Sequence, residues 1–142
     1  MTERVSSKIK SLIAERAGSC CEYCLSPVQF CPDAFSVEHI HPRALGGSAI
    51  LANLAYSCQG CNNHKYIAIN AKDSKTGQIV PLYNPREHRW CEHFRWENDF
   101  TIITGSSPIG RATVERLRLN RQEVVNLRCI LRMTGIPPFE RR

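Results

Sequence analysis

Four cysteines in two pairs, Cys21-Glu22-Tyr23-Cys24 and Cys58-Gln59-Gly60-Cys61, restrict this chain more than anything else in it. Each C-x-x-C pair presents two sulfurs on one tight turn, and two such turns can close a tetrahedron around a single metal ion. One pair alone could equally be a redox pair. Two pairs on either side of a strand-and-loop segment point to structural zinc. With four thiolates no coordination position stays open, so such a zinc holds a fold together and does no chemistry. Cys20 adjoins Cys21 and competes with it, but Cys21 has the correct spacing to Cys24. Cys31, Cys91 and Cys129 read as small buried hydrophobes.

Metal ligation presupposes reduced cysteines. Nothing in Met1–Lys10 reads as a leader, and no stretch approaches the roughly 20 apolar residues of a membrane helix. The expectation is therefore a cytoplasmic chain, in which eight cysteines serve metal better than disulfides. Nineteen Lys and Arg against thirteen Asp and Glu give a net charge of +6. That balance suits a polyanionic partner, and equally suits an ordinary solvated basic surface.

Helical spacing of Val5, Ile9, Leu12 and Ile13 predicts a helix over Arg4–Ala17, capped by Gly18. Cys21–Pro32 is a turn-rich knuckle, Ser36–Ile40 a short strand, and Pro42–Ser48 a loop. Ala49–Ala55 reads as a short helix or turn carrying Asn53, and a second helix runs from Cys58 or Gly60 toward Ile69. A polar loop at Lys72–Gln78 leads into extended pieces at Ile79–Tyr83, His93–Trp96 and Phe100–Thr104. Two helices close the chain, over Gly110–Leu119 and Gln122–Thr134, stopped by Gly135 and Pro137-Pro138. The expected fold class is α+β. Residues 1–70 form an N-terminal helix and a zinc-stapled core, and residues 71–142 an extension of short strands and two helices packed on it.

Between the cysteine pairs lie Glu38-His39, the loop Pro42–Gly47, and Asn53; Asn62 follows the last cysteine. The order C-x-x-C, E-H-I-x-P, G-G, N-L, C-x-x-C-N-x-x-K resembles the HNH endonuclease family in its zinc-bearing branch. The later N-P-R-x-x-x-W-x-x-H-F-x-W and G-R-A-T-V-E-R-L-R-L-N segments resemble the C-terminal extension of many bacterial HNH proteins. The resemblance implies a ββα unit clasping one divalent metal, with His39 as general base and Asn53 bracing the loop that orients it. It places Glu38 and Asn62 as the ligands of Mg²⁺ or Mn²⁺, with Asn62 at the motif's final histidine.

The residue types suit that chemistry. Cleaving a phosphodiester requires deprotonated water on one side and a stabilised 3′-oxygen on the other. Imidazole can accept a proton at neutral pH, and a carboxylate with an amide oxygen are hard ligands suited to Mg²⁺ or Mn²⁺. Neighbours on a strand point to opposite faces, however, so Glu38 and His39 meet at one phosphate only if the strand ends or bends there. His41-Pro42 is the place for it. Arg43, His41, His64 and Lys65 are candidate phosphate contacts, or else a solvated face. Trp90, Phe94 and Trp96 read as core, and His88 and His93 as structural. Arg111, Arg116, Arg118, Arg121, Arg128 and Arg132 border an apolar helical stripe and should mostly face outward.

The expected activity is hydrolysis of DNA to 5′-phosphate and 3′-hydroxyl ends. With one site per chain, a double-strand break would take a homodimer or two events. The alternative is a non-catalytic zinc-containing DNA-binding module on the same scaffold.

Overall fold

The structure, a computed structural model, describes residues 5–137. Arg4 and Pro138, expected in the first helix and at the closing stop, lie outside the described residues. Helix α1 (Ser7–Arg16) starts at Ser6, whose hydroxyl accepts from the Ile9 amide. It ends in a Schellman turn. The Ser19 amide donates to Ala14 O, the Gly18 amide donates to Glu15 O, and Gly18 sits at φ 65°.

Strands β1 (Ser36–His39) and β2 (Leu54–Ser57) form an antiparallel hairpin in which Glu38 opposes Ala55 and His39 opposes Leu54. Helix α2 (Gln59–Lys65) follows at once. Together β1, β2 and α2 make the expected ββα order. The second strand is a correction, since Leu54–Ser57 was read partly as helix or turn. Only Leu51–Asn53 is a short 3₁₀ turn there, and α2 ends at Lys65, short of Ile69.

Two further antiparallel pairs follow: β3 (Asn70–Lys72) with β4 (Ile79–Pro81), then β5 (Phe94–Glu97) with β6 (Ile102–Gly105). A one-turn helix α3 (Trp90–His93) leads into β5. Helix α4 (Pro108–Leu117) begins with Pro108 in its first turn behind Ser107, whose hydroxyl accepts from the Gly110 amide. Helix α5 (Gln122–Met133) completes the described fold.

One apolar cluster runs through both parts of the chain, from Tyr23, Ile40 and Ala55 to Tyr83, Trp90, Phe94, Leu117 and Val124. Trp90 and Phe94 are buried as expected, and Trp96 packs against them. Cys91 departs from expectation by being exposed, and Cys31 and Cys129 are only half-buried.

Buried polar contacts tie the later segments to the core. The fully buried Glu22 carboxylate accepts from the Tyr56 amide and pairs with Arg86. Asp73 takes a bidentate contact from Arg111, and Asn120 holds β6 through both the amide and the carbonyl of Ile103. Removing one member of a buried ion pair typically costs about 3–5 kcal/mol, because its partner stays buried and unpaired. Glu22→Ala should therefore lower unfolding free energy by about that much in urea titrations. A loss under about 1 kcal/mol would show that the Arg86 contact adds little.

Candidate functional site

The two knuckles bring Cys21, Cys24, Cys58 and Cys61 together with every sulfur within 4.8 Å of the others, all four buried. The Cys24 and Cys58 sulfurs stand 3.6 Å apart. A disulfide needs about 2.05 Å, whereas four sulfurs at about 2.3 Å from one zinc lie about 3.8 Å from each other. The donor set thus fits a tetrahedral zinc and suggests a structural one. Cys21, not Cys20, joins the cluster. Hydrogen-bond partners surround the sulfurs. The Cys61 amide donates to Cys58 Sγ at 3.4 Å, Ser26 Oγ is 3.1 Å from Cys24 Sγ, and Arg121 donates to Cys58 and Cys61.

The loop after β1 is held by Asn53. Its Oδ1 accepts from the His41 amide at 2.8 Å, and its Nδ2 donates to His41 O at 3.1 Å and Ser48 O at 2.8 Å. One amide side chain thus closes the ends of the 41–48 loop on the start of β2. Gly47 is needed inside it, because a Cβ there would stand 1.7 Å from His41 O. His41 is exposed and turns its Nε2 toward Leu45 O.

Glu38 and His39 separate. Glu38 is buried on the α2 side of the hairpin, where Lys65 Nζ lies 2.6 Å from Oε1 and Tyr23 Oη donates to Oε2 at 2.6 Å. Burial pushes the Glu38 carboxyl up, and the Lys65 ammonium with the Tyr23 hydroxyl pulls against that. Burial and then the Glu38 charge push the Tyr23 phenol well up, so it stays a donor. His39 lies on the other face, in a cleft shared with Lys10, Phe35, Val37 and Arg43. Because β1 stays a regular strand through His39, the bend that would make the two side chains converge does not occur.

Two expectations change as a result. Lys65 is not a phosphate contact. It is 1% exposed and spends its ammonium on Glu38 and on Ile40 O. Glu38 in this arrangement does not fit Mg²⁺ or Mn²⁺. Oε2 accepts from Tyr23, Oε1 faces the Lys65 ammonium as an ion pair without a hydrogen bond, and a divalent ion would have to displace that buried ammonium. Asn62 is half-buried on α2, three residues before Lys65. Arg43 is exposed beside His39. His64 stands half-buried near Arg121 and Arg118; burial and then their charges hold its imidazole below the usual range. His88 and His93 are structural, the first accepting from the Asn84 amide and the second bonded to Ser107.

Residues 21–66 match the family described as HNH endonuclease. Over this segment, about a third of the chain, the protein is similar to the HNH family. The matched residues run from the first clustered cysteine to the residue after Lys65, and so contain the hairpin, the Asn53-braced loop and α2. No curated protein and no solved structure is a match for the chain. The match supports a nuclease or DNA-binding role, and the clustered cysteines agree with the family's zinc-bearing branch. No helix among the described residues is long and apolar enough to cross a membrane.

The sequence reading missed Glu22 and Tyr23, the two residues inside the first knuckle. Nothing in the C-x-x-C pattern marks them, since Gln59, at the matching place in the second knuckle, is only half-buried.

Two outcomes test this site. Glu38→Ala should lose about 3–5 kcal/mol of stability by stranding Lys65, while Glu38→Leu with Lys65→Met should regain most of it. If the double variant is no more stable than Glu38→Ala, the two side chains do not depend on each other. For the cysteines, Cys24→Ala or Cys61→Ala should abolish zinc retention and cooperative unfolding together, since thiolate ligation supplies folding energy in small domains. Elemental analysis finding no zinc in the folded wild type would overturn the metal assignment.

Proposed function

We propose that the chain is an endonuclease that hydrolyses DNA phosphodiester bonds, with His39 as general base and zinc as a structural staple only. The observation that carries this is His39, placed by an HNH hairpin in a cleft edged by the exposed cations Lys10 and Arg43, beside a loop braced by Asn53. Lys10 and Arg43 would seat the phosphate backbone. His39 takes a proton from a water, whose oxygen then forms a bond to phosphorus. The bond from phosphorus to the 3′-oxygen breaks, and that oxygen takes a proton from solvent. The products are 5′-phosphate and 3′-hydroxyl ends. Mg²⁺ or Mn²⁺ supplies charge stabilisation in such reactions, but Glu38 as placed does not fit as its ligand, so the proposed step runs through His39.

One observation favours a second reading. Glu38 is engaged by Lys65 and Tyr23 on the face opposite His39. A scaffold that has given its family acid a structural task could bind DNA without cutting it.

Supercoiled plasmid, with Mg²⁺ or Mn²⁺ added, separates the two. Wild type should relax or linearise it. His39→Ala should lower the rate by about 10²–10⁴-fold with zinc content and DNA affinity kept. Binding that weakens with salt but leaves the plasmid intact under all metals would establish the binding module and end the enzyme proposal.

A further inference from the structure

Arg121 occupies the N-cap of α5 without capping it. Serine, threonine, aspartate and asparagine are preferred at this position because their side chains accept the helix's free amides. Arginine cannot, and no side-chain hydrogen bond caps this helix. The guanidinium turns instead toward the second knuckle. Nη2 donates to Cys58 Sγ at 3.4 Å and Nη1 to Cys61 Sγ at 3.6 Å, while Nη1 also donates to Leu117 O and Arg118 O at the end of α4. The approach depends on Gly60. A Cβ at that position would lie 2.4 Å from Arg121 Nη2 and 2.8 Å from Cζ, so any larger residue would push the guanidinium off the sulfurs.

A zinc ion with four thiolates carries two net negative charges, and this cluster is buried. A cation hydrogen-bonded to two of the sulfurs offsets that charge and holds the sulfurs in place. We propose that Arg121 is a positioning residue of the metal site, a clamp supplied by the C-terminal extension that slows zinc release by fixing the Cys58 and Cys61 thiolates. Gly60 is the gap that admits it. The extension is then part of the metal site, and not an appendage to a core that is complete at Tyr66.

This rests on the zinc reading of the cysteine cluster, and the measurement separates the two. Full-length wild type, Arg121→Ser, Gly60→Ala and the distant control Arg132→Ala are analysed for zinc. Their metal is then transferred to a chromogenic chelator, and Cys58 and Cys61 alkylation is followed by mass spectrometry. Arg121→Ser supplies a better helix cap, and Gly60→Ala a better helix former in α2, so neither should unfold the chain. Both should release zinc about 10-fold faster or more and expose the two thiols to alkylation, with Arg132→Ala unchanged. Wild type without stoichiometric zinc overturns the zinc reading and the clamp with it. Wild type with zinc, and variants that release it at the wild-type rate, overturns the clamp alone.

Discussion

The arrangement depends on the meeting of four sulfurs. Strands here are three or four residues long, and no sheet has more than two of them among the described residues. A two-stranded hairpin is marginal by itself in water. What keeps β1 and β2 against α2 is that one knuckle precedes the hairpin, the other opens the helix, and their cysteines share one cluster. Once the knuckles are joined, the 41–48 loop has a defined start and end, and the single side chain of Asn53 can close it. The apolar cluster then grows outward from the knuckles, with Tyr23 and Ala55 on one side and Leu117 and Val124 on the other.

A second constraint follows, and it bears on chemistry. Burying a carboxylate and an ammonium together is tolerable only when each offsets the other's charge, and Glu38 and Lys65 lie 2.6 Å apart, with Tyr23 donating to the carboxylate and Lys65 donating to Ile40 O. This arrangement fixes α2 against β1 at the helix's last turn, as the sulfurs do at its first. It also assigns the two faces of β1 different tasks. Glu38 faces inward and joins the scaffold, while His39 faces the cleft beside Lys10 and Arg43.

Much of this was legible in the chain. The C-x-x-C spacing located the four cysteines that cluster and chose Cys21 over Cys20. Strand alternation made the meeting of Glu38 and His39 depend on a bend, expected at His41-Pro42, and β1 stays regular through His39, so the two part. The resemblance to the HNH family marked Asn53 as a loop brace, and its side chain bonds to His41 and Ser48 at the two ends of that loop. Strand β2 was not legible, because Leu54-Ala55-Tyr56-Ser57 lacks apolar–polar alternation: Leu54 and Ala55, consecutive and so on opposite faces, are both buried, one face lying toward α1 and the other toward α2. The role of Lys65 could not be read from position, since a lysine on a short helix looks like any solvated cation until its neighbour is seen to be a buried acid.

The arginines of the extension show how far charge counting reaches. A helical stripe bordered by arginine suggests an outward basic face, and Arg116, Arg118 and Arg132 are exposed, whereas Arg111 turns to Asp73 and Arg121 to the cysteine sulfurs. Arg128 is buried beneath Trp96, donating to Thr101 O and Leu119 O. Each of Arg111, Arg121 and Arg128 serves carbonyls, a carboxylate or sulfurs inside the fold, and arginine alone offers five donors in a planar fork for that purpose. A net charge of +6 therefore overstates the surface open to a polyanion on this side. The cations still exposed beside the candidate base are Lys10 and Arg43, on the other face of the hairpin. The His39 face thus keeps two exposed cations at the candidate base, while Arg111, Arg121 and Arg128 at the opposite end hold the scaffold closed.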